Sequence, residues 1–341
     1  MALGVSLFGL ARLDLPITKY VRSVTIHLPW DQLTVPWMAF TSNWGDWIGQ
    51  GWRLAFLSFF LLAIAWAFKK PSIKSVAIQT LIAHGIAALL ANVLKHLISR
   101  PRPKFMHSGD WQMSFSFVSG LDSFPSGHST ASFAVATVMA KRFPVAAPVC
   151  LGIALFVGIS RVLRGSHFPT DVMGGAVIGI LSGCVAAAPL RQWRSSLQEG
   201  LHYAAIAVSS VFSVLWTLSH RMEDGMAGFA LVAVGIISIV GGLWGRKDHW
   251  FRGACSSHPT WPAPASMLLM AFGIAAMTTS PLVAGSAGCV CVATWFRHRT
   301  RAHEPKAQAT HWIVLREGAV LGSLCLALLT LATARGILPF Q

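Results

Sequence analysis

Two histidines, an aspartate and a handful of cations stand at three places in this chain, and their spacing decides what chemistry they can do. The run from Ser160 to Asp171 (Ser-Arg-Val-Leu-Arg-Gly-Ser-His-Phe-Pro-Thr-Asp) sets His167 and Asp171 four residues apart, with Arg161 just upstream. A carboxylate so placed can fix the imidazole tautomer and steady the positive charge that builds as a ring nitrogen attacks. Arg161 supplies a fixed cation for an anionic substrate. Read alone, the pair fits a helix cap equally well. The other two stretches tip the balance.

Phe124-Pro125-Ser126-Gly127-His128 opens an apolar run. Proline suits the first helical turn, where its missing N–H is not needed. The amides of Ser126 and Gly127 would then face an anion at a helix N-terminus, and Gly127 would let a ligand approach the backbone. His128, one turn further in, could reach a leaving-group oxygen. Lys95 and Arg102 flank a break forced by Pro101 and Pro103. With Arg161 they place three cations around one site, which matches the three equatorial oxygens of a phosphoryl group in its transition state. His167 must be neutral to attack and His128 protonated to donate, so a bell-shaped pH dependence belonging to the coupled pair is expected.

The elements that must carry these groups are membrane spans. The 341 residues are 54% hydrophobic and 11% charged, with mean hydropathy +0.58, against about 25% charged for a soluble domain. Apolar runs of about 18 residues or more recur. The reading is an all-α polytopic membrane protein with spans near 47–68, 72–95, 125–143, 145–163, 170–190, 200–219, 226–244, 264–280, 281–296 and 312–335. The 264–296 region reads as either a tight hairpin or one broken helix. Residues 1–45 hold no run long enough to cross a bilayer, and Trp30 and Trp37 suggest an interfacial segment. Lys69, Lys70, Lys74, Lys141, Arg142, Arg191 and Arg194 mark one side as cytoplasmic. The stretches around Lys95, His128 and His167 then meet at the opposite face, where clustered polar groups line a watery cavity.

A net charge of +15 comes from short basic loops of the positive-inside kind, not from a nucleic-acid surface. No cleavable signal peptide is expected. The six cysteines, Cys150, Cys184, Cys255, Cys289, Cys291 and Cys325, read as small buried hydrophobes. The chain lacks a glycosylation sequon, which favours a bacterial inner membrane with the site facing the periplasm or exterior.

Lys95, six residues, Arg102-Pro103; Pro125-Ser126-Gly127-His128; and Ser160-Arg161, five residues, His167, three residues, Asp171 together resemble the three-part signature of the type 2 phosphatidic acid phosphatase superfamily. That superfamily includes membrane lipid phosphate phosphatases and vanadium haloperoxidases. The resemblance covers about residues 46–190. It implies that His167 attacks phosphorus, Asp171 orients it, and His128 protonates the leaving group and later activates water. Lys95, Arg102, Arg161, Ser126 and Gly127 would hold the phosphoryl oxygens, with no metal or other cofactor. The implied organisation is an N-terminal segment at 1–45, a phosphatase core at 46–195 and an extension at 196–341. A further span that the family carries before the core is not evident here.

The expected activity is hydrolysis of a membrane lipid phosphate or diphosphate. Rival readings are a lipid phosphotransferase, a vanadate-dependent haloperoxidase and a non-catalytic anion or lipid transporter. Trp111, Met113, Phe115 and Phe117 would form an apolar rim for the lipid. Arg100 and Arg164 read as headgroup contacts and His84 as a hydrogen-bonded interior histidine. His249, Cys255 and His258 fit no zinc pattern. Glu317 is assigned no role.

Overall fold

Proline and glycine punctuate the apolar runs, and several helices begin at them. The computed structural model describes residues 2–24, 36–105, 115–118, 120–219, 225–251 and 263–301. These form eleven α-helices: α1 (Ala2–Val24), α2 (Pro36–Gly49), α3 (Gly51–Ala67), α4 (Pro71–Ile98), α5 (Gly127–Arg142), α6 (Ala147–Leu163), α7 (Pro169–Ala186), α8 (Trp193–Ser219), α9 (Met226–Phe251), α10 (Ala263–Ala276) and α11 (Pro281–Arg301). No strand occurs among the described residues. Pro71, Pro169 and Pro281 each open a helix, where the ring's fixed φ fits and no amide is lost. Ser99 ends α4 in the left-handed region at φ 45°, its amide bonded to the Lys95 carbonyl. Pro101 then keeps the chain from re-entering a helix.

Four described helices are long and apolar enough to cross a membrane: Pro71–Ile98, Pro169–Ala186, Trp193–Thr217 and Met226–Gly245. Phe40–Gly49 and Gly51–Ala67 form a pair that qualifies only together, bent by 52° at its break. The first expected span therefore starts inside α2 and turns at Gln50. The spans expected at 125–143 and 145–163 are helices of 16 and 17 residues. At 1.5 Å per residue each is about 25 Å long, short of a hydrocarbon core of about 30 Å. The expectation for 264–296 resolves as a hairpin of α10 and α11, with Thr279 in the left-handed region at the turn. Trp30, Cys255, His258, Glu317 and the span expected at 312–335 lie outside the described residues.

The chain divides into two compact units, residues 11–204 and residues 1–10 with 205–341. In the first, α5 is the central helix and packs against α4, α6 and α7. It is polar for a central helix because Ser129, Thr130, Ser132 and Thr137 are buried with its alanines. Against it α7 presents Gly175, Gly179 and Gly183, one per turn. A Cβ on Gly179 would lie 2.6 Å from the Thr130 carbonyl oxygen and 2.8 Å from the Ala134 nitrogen, so the two backbones touch. Small residues at that spacing are how apolar helices approach closely in lipid. The contact locks the start of α5 beside the start of α7, where the Ser126 amide donates to the Asp171 carbonyl at 3.0 Å. In the second unit α9 and α10 pack by the same device, Gly235 against the Gly273 carbonyl.

Candidate active site

α6 ends at Leu163, and the chain doubles back through Gly165, whose φ of 65° is open to glycine at little cost. The amides of Ser166 and His167 both donate to the Arg161 carbonyl. That fold-back turns His167 inward, leaving it 4% exposed. Its Nδ1 lies 2.7 Å from the Ser123 carbonyl oxygen. A carbonyl can only accept, so Nδ1 carries the proton and Nε2 keeps its lone pair.

Asp171 does not make that bond. Its Oδ2 stands 3.9 Å from Nδ1, too far for a hydrogen bond. Oδ2 instead accepts from the Ser123 hydroxyl at 2.5 Å and the Phe168 amide at 2.8 Å, while Oδ1 accepts from Arg100 Nη1 at 2.8 Å. The carboxylate therefore reaches His167 through Ser123, and by its charge. It also caps α7 as the third helical residue, so the cap reading of the Ser160–Asp171 stretch holds beside the chemical one.

The expected cations are balanced by two carboxylates. Arg102 donates through Nε and Nη2 to Asp122 at 2.9 and 2.7 Å, and Lys95 lies 3.7 Å from the same group. Arg161 pairs with Asp46 and donates to the Ser42 carbonyl, and Arg164 meets Asp46 at 3.2 Å. His128 Nε2 is also 3.2 Å from Asp46, though not aligned with it as a hydrogen bond. Partial burial alone would raise the Asp122 carboxyl, but the Arg102 contact and the Lys95 charge outweigh it and hold the group below the usual carboxylate range.

His167, in the loop between α6 and α7, is pushed well below the ordinary imidazole value. Burial is the main cause and the charges of Arg102, Lys95 and Arg161 add to it, against an opposing effect of the Ser123 carbonyl. A lowered value keeps the ring neutral, hence nucleophilic, into more acid solution. The acid limb of kcat/KM assigned to this group should therefore fall below the ordinary value of about 6.5. A pH profile on a soluble short-chain phosphate ester checks this, and a limb at or above that value would count against it.

The glycine-histidine stretch departs from expectation in three ways. α5 begins at Gly127 with Ser126 as N-cap, so Pro125 precedes the helix and follows a cis Phe124–Pro125 bond instead of opening the first turn. His128 is then the second helical residue, not one turn in. The Ser126 amide, expected to face an anion, is engaged by the Asp171 carbonyl, because the tight α5–α7 contact brings the two backbones together. Gly127 keeps a first-turn amide without an intrahelical partner, and a Cβ there would lie 3.7 Å from Lys95 Nζ. A cavity of about 270 Å³ adjoins the pair, lined among others by His84, Asn92, Lys95, Gly127, His128 and Thr130. His84 Nδ1 is buried there and has no hydrogen-bond partner among the described residues, where a bonded one was expected.

Arg100 and Arg164, expected at lipid headgroups, turn inward to carboxylates instead. Phe115 and Phe117 are exposed and in edge contact at 5.0 Å; Trp111 and Met113 lie outside the described residues. Asp14, Asp46, Asp122 and Ser123 were not singled out from the sequence. The available signal was scarcity: with 12 acidic residues against 27 basic ones, an isolated acid in an apolar stretch is a candidate counter-ion.

Residues 75–196 match the family model described as the PAP2 superfamily. A lipid A 1-phosphatase of Rhizobium johnstonii is 43% identical over 101 residues, 27% of this chain and 39% of that protein. Phosphatidylglycerophosphatase B of Bacillus subtilis is 38% identical over 115 residues, 30% of this chain and 51% of that one. An undecaprenyl-diphosphatase of the same organism is 32% identical over 124 residues, 36% and 62% respectively. The chain thus spans only part of the length of each relative. No solved structure matches. The stretch at 75–196, which carries Lys95, Arg102, His128, Arg161, His167 and Asp171, belongs to the PAP2 superfamily.

Proposed function

We propose that this integral membrane protein hydrolyses a lipid phosphate or diphosphate through a phosphohistidine. The observation that carries the reading is the bond from His167 Nδ1 to the Ser123 carbonyl, which leaves Nε2 as the lone-pair nitrogen amid Lys95, Arg102 and Arg161. In the first step Nε2 attacks the terminal phosphorus, its bond to the leaving oxygen breaks (the lipid alkoxide of a monophosphate, the bridging oxygen of a diphosphate), and His128 gives that oxygen its proton. In the second, His128 takes a proton from water as the water oxygen attacks, the P–N bond breaks, and inorganic phosphate leaves. Lys95, Arg102, Arg161 and the Gly127 amide hold the phosphoryl oxygens, which compete with Asp46 and Asp122 for these partners. The charges gathered around phosphorus are the ones a Mg²⁺ would otherwise supply.

Residues 46–195 are the core in this reading, 1–45 an N-terminal segment and 196–341 an extension. The basic loops support a site on the non-cytoplasmic face. The relatives' names suggest lipid A phosphate, phosphatidylglycerol phosphate and undecaprenyl diphosphate as substrates, and phosphatidic acid belongs in the same panel. Purified protein with EDTA should release phosphate from at least one of these four. Release from none would overturn the proposal. Consumption of lipid without matching free phosphate would replace it with phosphotransfer to a second lipid.

A further inference from the structure

Of the carboxylates around His167, one comes from outside both the 75–196 match and the expected core. Asp14, on α1, is 1% exposed. Its Oδ2 accepts from Arg100 Nη2 at 2.8 Å, its Oδ1 accepts from the Thr170 amide at 3.0 Å, and the Thr170 hydroxyl also donates to it. The other arm of Arg100, Nη1, donates to Asp171 Oδ1 and to the Thr170 hydroxyl, both at 2.8 Å. The guanidinium carbon lies 4.1 Å from the centre of the Phe168 ring.

Arg100 is thus a planar fork held between two buried acids, and each acid decides where the fork points. Asp171 is the acid that bonds the Ser123 hydroxyl, and Ser123 is the residue whose carbonyl bonds His167. If the charge on Asp14 were lost, the fork would turn both arms to Asp171 and draw its carboxylate away from Ser123. We infer that Asp14 is a positioning residue for the proposed reaction: acting through Arg100 and Thr170, it holds Asp171 and Ser123 so that His167 Nε2 faces phosphorus. This rests on the hydrolase reading above.

Asp14→Asn keeps the side-chain volume and an oxygen for the Thr170 amide but removes the charge. It should lower kcat about tenfold with KM within about twofold, since misorientation of an attacking atom acts on the chemical step. Arg100→Lys keeps the charge but cannot span two carboxylates, and should give a similar loss. The decisive measurement is the double-mutant cycle with Asp171→Asn. If Asp14 acts through Asp171, Asp14→Asn should cost kcat little once Asp171 is neutral. If it merely anchors α1, the tenfold factor should recur in that background, which would overturn the inference.

A readout without turnover separates this from failure of the hydrolase reading. Inorganic vanadate, followed by ⁵¹V NMR, can bond the attacking nitrogen, and Asp14→Asn should weaken its binding about tenfold. Wild-type protein that binds vanadate but releases no phosphate would sink the hydrolase reading alone. Vanadate binding unchanged in Asp14→Asn would sink the role of Asp14.

Discussion

His167→Ala should lower kcat by about 10⁴-fold or more, a loss typical of removing a nucleophile. It should also abolish any acid-labile, base-stable phosphoprotein. His167 is 4% exposed and its ring is bonded at Nδ1 to the Ser123 carbonyl. Alanine there removes the attacking lone pair while Ser123 keeps its own bond to Asp171. Stability should therefore change little, and a melting curve beside the assay separates lost chemistry from lost fold. Full activity in the variant would end the phosphohistidine mechanism. Asp171→Asn should be the milder of the two, because Asp171 sits 3.9 Å from the ring and its hydrogen-bonded connection to it runs through Ser123. A loss as large as that of His167→Ala would mean that its charge, and not its hold on Ser123, is what the reaction needs.

What could be read from the sequence was what local periodicity and spacing encode. Proline, glycine and apolar length mark α4, α7 and α11 because backbone rules act within a few residues. The signature positions fall at the ends of α4 and α6 and the starts of α5 and α7. The counter-ions did not emerge because nothing local announces them: Asp14 meets Arg100 across 86 residues and Asp46 meets Arg161 across 115. Only the tertiary fold brings such pairs together. The misplacement of Pro125 and of the Ser126 amide has a related cause. Gly175 and Gly179 draw α7 against α5 so closely that the Asp171 carbonyl takes an amide that helix rules alone would leave outward. Arg100 was misread for the converse reason, since an arginine beside a span end looks the same in sequence whether it faces headgroups or a buried acid.

His128→Ala should divide the reaction into two halves that respond differently. Protonation of a poor alkoxide leaving group is worth about 10²–10⁴-fold, so hydrolysis of an alkyl lipid phosphate should fall by about that much. A phosphoryl donor with an aryl leaving group needs no proton, so the first half should survive while the second, which needs a base to activate water, stalls. Phosphohistidine should then accumulate on His167 to near one per chain, detectable after rapid quench in base. His128 is suited to both duties by position: it is the second residue of α5, next to Gly127 and Lys95, with Asp46 3.2 Å from its Nε2. Asp46 is the carboxylate beside His128 where the positive charges of Arg161 and Arg164 gather. Added imidazole should restore some turnover in the variant, because the cavity of about 270 Å³ beside His128 has room for a free ring. Equal losses with alkyl and aryl donors, and no trapped intermediate, would assign His128 to phosphate binding instead. The proton would then have to come from another group in contact with the leaving oxygen.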